Sequence, residues 1–327
     1  MSPTVSVNLC CYNSEKYLRE TLDSVVNQTY TDWEFIIIND GSSDSTESII
    51  SEYIKRGHNI IYHYQENQGL GYSRNEALKF SKGRFIAFID HDDIWLPEKL
   101  EKQIPFFSDP NVGLVYSDAI YFNSEGLNHR LYQSRSYYEG NCFSQLLTDY
   151  FLCMQTVMVR RIALESLTYW FDNDFNMIED ADLFARIAYN GWKLAMVNEP
   201  LAMWRVHSSS LTWQFPIKIV EEYNVMLQKY GKIIKDFNNR YAREIKTLKY
   251  KNAIIKSLQL WKTGKNKDAR RALIPFLMQG YEVLFLLGLF FLPESMMRRW
   301  LAPFRKTKVM PAEDHKHLAV DPKGWAA

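Results

Sequence analysis

The sequence feature that most constrains the fold is a short apolar run, residues 85–89, which ends abruptly in acidic residues. The run Phe-Ile-Ala-Phe-Ile predicts a strand buried on both faces, as in a parallel sheet. Asp90, Asp92 and Asp93 follow directly, with His91 among them. Three carboxylates so close together repel one another and cannot all be buried unpaired. Because open parallel sheets bind ligands at the carboxyl ends of their strands, the run predicts a ligand site there.

A divalent cation is one way to balance this charge. Mg²⁺ and Mn²⁺ prefer oxygen ligands, and Mg²⁺ typically binds one or two carboxylates together with substrate phosphates. The alternative interpretation is a solvated acidic turn before a helix that begins near Pro97. The acidic cluster by itself is consistent with both the metal site and the solvated turn.

Strand patterns alternate with amphipathic helix patterns throughout the first hundred residues. Strands are predicted at residues 5–11, 33–38, 59–64 and 85–89, with one helix in each interval. Such an alternation predicts an α/β fold with a doubly wound, mostly parallel sheet.

The remainder of the chain is less regular. Further strands are predicted at residues 113–116, 119–122, 153–159, 193–197 and 201–206, and helices at residues 97–107, 141–150, 181–189 and 220–260.

The net charge of +1 conceals an asymmetry along the chain. Residues 1–216 carry 17 Lys/Arg and 28 Asp/Glu, whereas residues 217–272 carry 15 and 5. An acidic body joined to a basic segment suggests two separate roles. We therefore predict one domain over residues 1–214, a helical region over residues 215–305, and a disordered tail over residues 306–327.

The four cysteines have no zinc-site spacing, and we interpret them as reduced residues of a cytoplasmic protein. A strand is predicted near Val5 without a basic-then-apolar leader before it, so no signal peptide is expected.

Six motifs occur in order at spacings typical of one family. They are V-S-V-x-x-x-x-Y-N at residues 5–13, N-D-G-S-x-D at 39–44, N-x-G-x-x-x-x-R-N at 67–75, G-R-F-I-A-F-I-D-x-D-D at 83–93, E-D at 179–180 and W-R-V-H at 204–207. Together they resemble the family-two glycosyltransferases, which share the GT-A fold, over about residues 5–212.

The resemblance implies an enzyme that transfers a sugar from a nucleotide-diphosphate sugar with inversion at the anomeric carbon. It implies a hydroxyl acceptor on a glycan or lipid-linked glycan, as in polysaccharide or cell-envelope biosynthesis, and a divalent metal, Mn²⁺ or Mg²⁺. Residues 1–117 would form the nucleotide-sugar-binding half and residues 118–214 the acceptor-side half.

The resemblance also assigns donor-binding residues by position. Tyr12 would lie against the base and Asp40 would hydrogen-bond it. Arg74 would contact the base or the phosphates, and Asp90 would face the ribose. Without the resemblance, Tyr12 could be core, Asp40 a turn residue and Arg74 a helix-surface salt bridge.

Three further residues would carry the chemistry. Asp92 matches the metal ligand, Asp180 the catalytic base, and His207 a position that approaches the metal or diphosphate in some relatives. A carboxylate opposite the leaving group is needed to remove the proton of the acceptor hydroxyl. The alternatives are a helix cap for Asp180 and a hydrogen-bonded loop histidine for His207.

The chain departs from the family pattern at two places. Cys10 stands where the family usually has proline, and residues 171–174 lack the glycine pair often found before the E-D motif. The second departure makes the acceptor-side loop hard to predict.

Other functions are less consistent with the sequence. A sugar-nucleotide pyrophosphorylase should carry a basic, glycine-rich loop after the first strand, and a dinucleotide oxidoreductase should carry G-x-G-x-x-G; residues 10–14 offer neither. A nucleotide-sugar-binding scaffold without catalysis would not need Asp90, Asp92 and Asp180 together. No nucleic-acid-binding motif accompanies the basic segment, so no nucleic-acid partner is expected.

Residues 283–292 are ten consecutive apolar residues, whereas a spanning helix needs about 20. A full membrane span is therefore disfavoured. The helices could bury this run as core, or it could lie in the interface of an anionic membrane on its cytoplasmic face, with neighbouring Lys and Arg drawn to the lipid. We expect peripheral membrane association.

Overall fold

The computed structural model describes residues 2–126, 128–133, 135–207, 214–279 and 281–291. The chain forms two compact units, the first ending at Val206 and the second beginning at His207. The domain boundaries predicted after residues 117 and 214 stay predictions. The predicted tail, residues 306–327, lies outside the described residues.

A nine-stranded sheet runs through the first unit in the order β3-β2-β1-β4-β8-β6-β9-β5, with β7 paired to β6. The strands are β1 (Val5–Cys11), β2 (Trp33–Asp40), β3 (Ile60–Gln65), β4 (Phe85–Asp90), β5 (Ile94–Trp95), β6 (Val112–Phe122), β7 (Asn128–Arg130), β8 (Met158–Arg160) and β9 (Lys193–Arg205). Strands β3, β2, β1 and β4 are parallel, β8 is antiparallel to both neighbours, and β6 and β9 are parallel again.

The helices of the first unit are α1 (Leu18–Val26), α2 (Thr46–Lys55), α3 (Leu70–Phe80), α4 (Lys99–Gln103), α5 (Phe143–Thr148), α6 (Arg161–Glu165) and α7 (Glu179–Tyr189). Short 3-10 helices occupy Ile104–Ser108, Leu131–Gln133 and Met154–Thr156.

The parallel strands are apolar on both sides because both faces of this part of the sheet are covered. On one face Leu9 and Ile37 pack with Leu22 of α1 and Ile50 of α2. On the opposite face Ile36 and Ile38 pack with Ala77 of α3. The predicted doubly wound, mostly parallel α/β arrangement is confirmed.

The adjacent cysteines of β1 point to opposite sides, as expected for neighbours in a strand. Cys11 belongs to the core cluster beneath α1 and α2, and Cys10 to the cluster beneath α3. All four cysteines of the chain are free and buried.

The structure corrects several predicted elements after residue 97. The two strands predicted at 113–116 and 119–122 are the single strand β6, in which the register shifts around Asp118. The strands predicted at 193–197 and 201–206 are likewise one strand, β9. The strand predicted at 153–159 begins only at Met158, because a 3-10 turn precedes it.

The second unit is helical, with α8 (Pro216–Ile233), α9 (Phe237–Arg240), α10 (Ala242–Lys262), α11 (Asn266–Leu273), a 3-10 turn (Ile274–Phe276) and α12 (Tyr281–Leu289). The single helix predicted over residues 220–260 is wrong. Asp236 adopts a left-handed backbone with φ of 55°, which interrupts the helix, and its carboxylate accepts a hydrogen bond of 2.7 Å from Asn239. Within the described residues, none of the helices combines the length and apolar character that crossing a membrane requires.

Candidate active site

Several of the predicted site residues lie at one edge of the sheet. Strands β1, β2 and β4 are neighbours, with Cys11 opposite Asn39 and Cys10 opposite Asp90. Tyr12 follows β1 directly, while Asp40 and Asp90 end β2 and β4. The carboxyl ends of these parallel strands therefore bring three of the four predicted donor-binding residues to the same edge.

Asp40 is fully buried at this edge and holds the loop between β3 and α3. Its Oδ1 accepts hydrogen bonds from the side chain of Gln65 at 2.6 Å and from the backbone N–H of Gln68 at 2.9 Å. Its Oδ2 accepts one from the N–H of Gly69 at 3.0 Å. Gly69 has a φ of 92°, which a residue with a side chain would adopt only under strain. The carboxylate thus shapes the wall of the site in this structure.

Tyr12 is half-buried in the loop after β1, and its N–H donates to the hydroxyl of Ser14 at 3.1 Å. Asn13 has a positive φ of 48° and joins this loop to the one after β2. The N–H of Asn13 donates to Ser42 at 2.9 Å, and its side-chain oxygen accepts from the N–H of Ser43 at 2.9 Å. The first two loops at this edge therefore form one hydrogen-bonded rim.

Arg74 connects the end of β4 to the start of α7. Its Nη2 lies 2.9 Å from Oδ1 of Asp90, and its Nη1 contacts Oε1 of Glu179. The side chains of Arg74 and Glu179 are only 7% and 4% exposed, whereas that of Asp90 is 37% exposed. Burial alone would lower the pKa of Arg74, but Glu179, Asp90 and Asp180 raise that pKa above its ordinary value. Arg74 is therefore a permanent buried cation between two carboxylates.

Asp180 lies in the first turn of α7, immediately after Glu179. Its Oδ2 accepts a hydrogen bond of 2.6 Å from the hydroxyl of Tyr150, and its Oδ1 one of 2.7 Å from the N–H of Ala181. Desolvation raises the pKa of Asp180 above its ordinary value, although Arg74, Tyr150 and Ala181 act in the opposite direction. A carboxylate with a raised pKa is a stronger proton acceptor while it remains ionised.

The acidic loop after β4 is fixed from β9. The backbone N–H of Arg205 donates to Oδ1 of Asp93 at 2.8 Å, and its Nε donates to the backbone carbonyl of Asp92 at 2.8 Å. Asp93 is buried, and burial together with Asp92 and Asp90 raises the pKa of Asp93 well above its ordinary range. Asp92 is half-buried and Asp90 is partly exposed, so both can face a ligand.

The donor atoms of this loop suit a hard divalent ion, because they are carboxylate oxygens in a place where negative charge accumulates. Among the described residues, no group of three or more His, Cys, Asp or Glu side chains converges on a single point. A metal held here would therefore need most of its ligands from substrate phosphates and water.

The structure thus joins Arg74 to Asp90 and Glu179 by ion pairs, and Asp180, the residue after Glu179, interacts electrostatically with Arg74. His207, the other predicted metal ligand, is the first residue of the second unit, and its predicted role stays a prediction. Sequence reasoning missed Tyr150 and Arg205. Arg205 could have been noticed within the W-R-V-H motif, but Tyr150 lies outside every motif.

The loop that departs from the family pattern is held by α3. Asn75 donates to the carbonyl of Phe171 at 2.9 Å and accepts from the N–H of the same residue at 2.9 Å. A Cβ atom on Gly71 would lie 3.2 Å from the carbonyl oxygens of Asp172 and Phe175, so helix and loop are in close contact. Asn75 therefore holds this loop against α3.

Comparisons with known proteins agree with this architecture. The sequence profile described as glycosyl transferase family 2 matches residues 6–168. The chain is 28% identical to the protein named as glycosyltransferase EpsH of Bacillus subtilis over 277 residues, which are 81% of this chain and 80% of that protein. It is 31% identical to the uncharacterized glycosyltransferase RT0329 of Rickettsia typhi over 282 residues, 79% of this chain and 84% of that protein.

A solved structure shares the fold. The mannosyltransferase PcManGT from Pyrobaculum calidifontis, in complex with GDP-Man and Mn²⁺, superimposes with a TM-score of 0.64 at 18% identity, covering 94% of this chain and 83% of that one. The predicted GT-A fold is confirmed. By its family profile, its relatives and its fold, this chain belongs to glycosyltransferase family 2 and is a glycosyltransferase.

Proposed function

We propose that the protein is an inverting, metal-dependent transferase that moves a sugar from a nucleotide-diphosphate sugar to a hydroxyl group of a glycan or lipid-linked glycan. The observation that carries the proposal is the position of Arg74 between Asp90 and Glu179. This guanidinium joins the acidic strand end, where a diphosphate and a metal would bind, to the helix turn that presents Asp180. The two groups that the reaction needs on opposite sides of the sugar therefore belong to one network.

The donor would bind at the carboxyl edge of the parallel strands. Tyr12 would lie against the base, and the buried Asp40 would shape the base-binding wall through the loop that it holds. Arg74 would face the phosphates and Asp90 the ribose. The GDP-Man bound to PcManGT supports a nucleotide-sugar donor for a chain with this fold.

Asp92 would hold a divalent ion, Mn²⁺ or Mg²⁺, with His207 as a second candidate ligand. The ion would supply Lewis-acid stabilisation for the negative charge that develops on the leaving diphosphate. The Mn²⁺ bound to PcManGT and the carboxylate surplus at residues 90–93 support this assignment.

Asp180 would act as the general base. A carboxylate at the start of α7 can accept the proton of the acceptor hydroxyl while the oxygen attacks the anomeric carbon from the side opposite the diphosphate. One displacement of this kind inverts the anomeric configuration. The raised pKa of Asp180, with Tyr150 fixing its orientation, suits this role.

A cytoplasmic location, facing the membrane, belongs to the same proposal. Four free, buried cysteines are typical of a reducing compartment. Fractionation of cells that express the tagged protein tests it, and recovery in the oxidising compartment would contradict it.

The experiment is a panel of nucleotide sugars screened for diphosphate release with Mn²⁺, Mg²⁺ and chelator. We expect one donor class to react only with metal, and nuclear magnetic resonance of the product to show inverted configuration. In the Asp180→Asn variant we expect turnover to fall by about 10²–10⁴, the usual range for general base catalysis. Donor affinity should change little, because the substitution keeps the shape of the side chain.

The matched control is Asp174→Asn, which alters an exposed carboxylate in the loop before α7. Its turnover should equal that of the wild type. Normal turnover in Asp180→Asn would assign the base elsewhere, with Glu179 as the next candidate.

A further inference from the structure

The second unit exposes a group of large apolar side chains close together in sequence, which we call the C-terminal apolar patch. Its members and their exposed fractions are Ile274 at 54%, Leu277 at 38%, Met278 at 98%, Leu284 at 60%, Phe285 at 60% and Phe291 at 71%. Isolated exposed apolar residues are normal on a protein surface, whereas contiguous ones mark an interaction site.

The patch is not an unfinished core, because α12 already has a buried side. Val283 and Phe290 are fully buried and pack with Trp261, Ala269 and Leu273 of α10 and α11. Leu284 and Phe285 belong to the same helix but remain exposed. A helix that is apolar on all sides normally contacts apolar surroundings on all sides, in a larger core or in lipid.

Cationic side chains border the patch. The guanidinium of Arg270 lies 4.2 Å from the centre of the Phe291 ring and donates to the carbonyl of Phe290 at 3.0 Å. Residues 262–273 contain five Lys/Arg and one acidic residue, Asp268. That acid lies 3.7 Å from Arg271, and the stretch as a whole carries an excess of positive charge.

Apolar side chains next to an excess of Lys and Arg are complementary to the surface of an anionic bilayer. Amphipathic segments of this kind insert their apolar side chains at the boundary between headgroups and acyl chains, and their cations remain among the phosphates. A protein partner with an acidic, apolar surface would meet the same chemistry, but the largest exposed side chains here are flexible or aromatic, and bilayers accept such groups without a fixed complementary shape.

We propose that the C-terminal apolar patch is a membrane-docking surface, with Leu284, Phe285 and Phe291 inserted into the interface of an anionic bilayer. The cations of residues 262–271 contact the lipid phosphates. The surface acts independently of the sugar-transfer chemistry, so the proposal does not rest on the proposed donor, metal or base.

The test is co-sedimentation of the full-length protein with vesicles of phosphatidylglycerol and phosphatidylcholine, and with pure phosphatidylcholine, at low and high salt. We expect binding to the anionic vesicles only, weakened by salt. The double variant Leu284→Glu/Phe285→Glu should lose at least about tenfold in affinity for the anionic vesicles, because it places charge at the boundary between headgroups and acyl chains. Both substituted residues are exposed, and circular dichroism checks that the variant stays folded.

Two further variants separate the contribution of the apolar side chains of the patch from that of the cations. Ile233→Glu alters a residue of α8 that is 62% exposed but outside the patch, and its vesicle binding should equal that of the wild type. Lys267→Glu changes an exposed cation of the basic stretch that precedes α12 and should weaken binding to the anionic vesicles.

Three results would overturn the proposal. The wild type could stay in the supernatant with every vesicle, the patch variant could bind as well as the wild type, or sedimentation could show a dimer that the patch variant dissociates. The last result would assign the patch to a second copy of this chain. Diphosphate release is measured in a separate assay without lipid. A variant that loses vesicle binding but keeps diphosphate release is therefore distinguishable from one that has lost sugar transfer.

Discussion

The hydroxyl of Tyr150 donates to Asp180 from 30 positions earlier in the chain, at 2.6 Å. The backbone carbonyl of Tyr150 in turn accepts a hydrogen bond of 2.8 Å from Arg135. The orientation of the proposed base is therefore set by a tyrosine that is itself held in place. Tyr150 acts through Asp180 and is a positioning residue.

Replacing Tyr150 by phenylalanine should move the pH dependence of transfer. Desolvation raises the pKa of Asp180, and the Tyr150 hydrogen bond lowers it. Without that bond the pKa rises further, so Asp180 becomes protonated, and transfer is lost, at a higher pH than in the wild type. A profile of kcat against pH checks this, with the acidic limb shifted toward neutral pH.

Tyr137→Phe is the control for this prediction, because Tyr137 is 44% exposed. An acidic limb that stays in place in Tyr150→Phe, with reduced turnover at every pH, would limit Tyr150 to a structural role.

Replacing Asp92 by alanine should weaken metal-dependent nucleotide binding and nearly abolish turnover. Without Asp92, the diphosphate would face Asp90 and Asp93 with less opposing charge, since a metal ion would lose a ligand. Calorimetry with a nucleoside diphosphate, with and without Mn²⁺, measures the effect, and Glu125→Ala supplies an exposed-acid control. Equal metal-dependent affinity in the Asp92 variant and the wild type would contradict the assignment.

Among the elements, α3 carries two site functions in consecutive residues. Arg74 contacts the carboxylates, and the next residue, Asn75, makes both hydrogen bonds to Phe171 in the loop before α7. The helix therefore supports the charge network and the position of the base together.

Asn75→Ala should loosen this loop and lower turnover more than donor affinity. Loss of the two bonds to Phe171, and of a third from Asn75 to the side-chain oxygen of Asn173 at 3.0 Å, should also reduce the free energy of unfolding by about 1–3 kcal/mol. Urea denaturation and kinetics measure the two effects, with Lys79→Ala on the exposed side of α3 as control. Unchanged loop protection in hydrogen exchange would show that other contacts suffice.

The sequence predicted the parallel half of the sheet well because β1, β2 and β4 are buried on both faces and most of their residues are apolar. It predicted the second half less well because β6 and β9 contain polar residues and register shifts, which look like strand ends in a pattern. The break at Asp236 was missed because the side chains on both sides of it continue the helical pattern.

The site residues were easier to find than their partners. Asp90, Asp92 and Asp180 stand out because carboxylates gather at a strand end and at the start of a helix. The hydrogen bonds from Gln65, Gln68 and Gly69 to Asp40, and from Tyr150 to Asp180, depend on how distant loops meet. No periodicity in the sequence predicts these contacts between distant loops.

For the molecule as a whole, the change from acidic to basic composition falls near the boundary between the two units. The acidic surplus lies in residues 1–216, which include the sheet unit, and the basic surplus lies in residues 217–272 of the helical unit. Under the proposed membrane docking, the acidic body would be repelled by anionic lipid, and the basic surplus of residues 217–272 would offset that repulsion.

The bridge made by Arg74 has a consequence for the order in which substrates bind. While Arg74 is shared between Asp90 and Glu179, its charge is fully used within the protein. The donor phosphates would compete for Arg74 and the ribose for Asp90, and the arginine would then be released toward the donor. The electrostatic environment of Asp180 would then change only after the donor has displaced Arg74. We therefore expect a compulsory order of binding, with the donor first and the acceptor second. Initial-rate patterns with a dead-end acceptor analogue check this order. The analogue should be uncompetitive against the donor, and a noncompetitive pattern would show that the acceptor site fills without the donor, which contradicts the order.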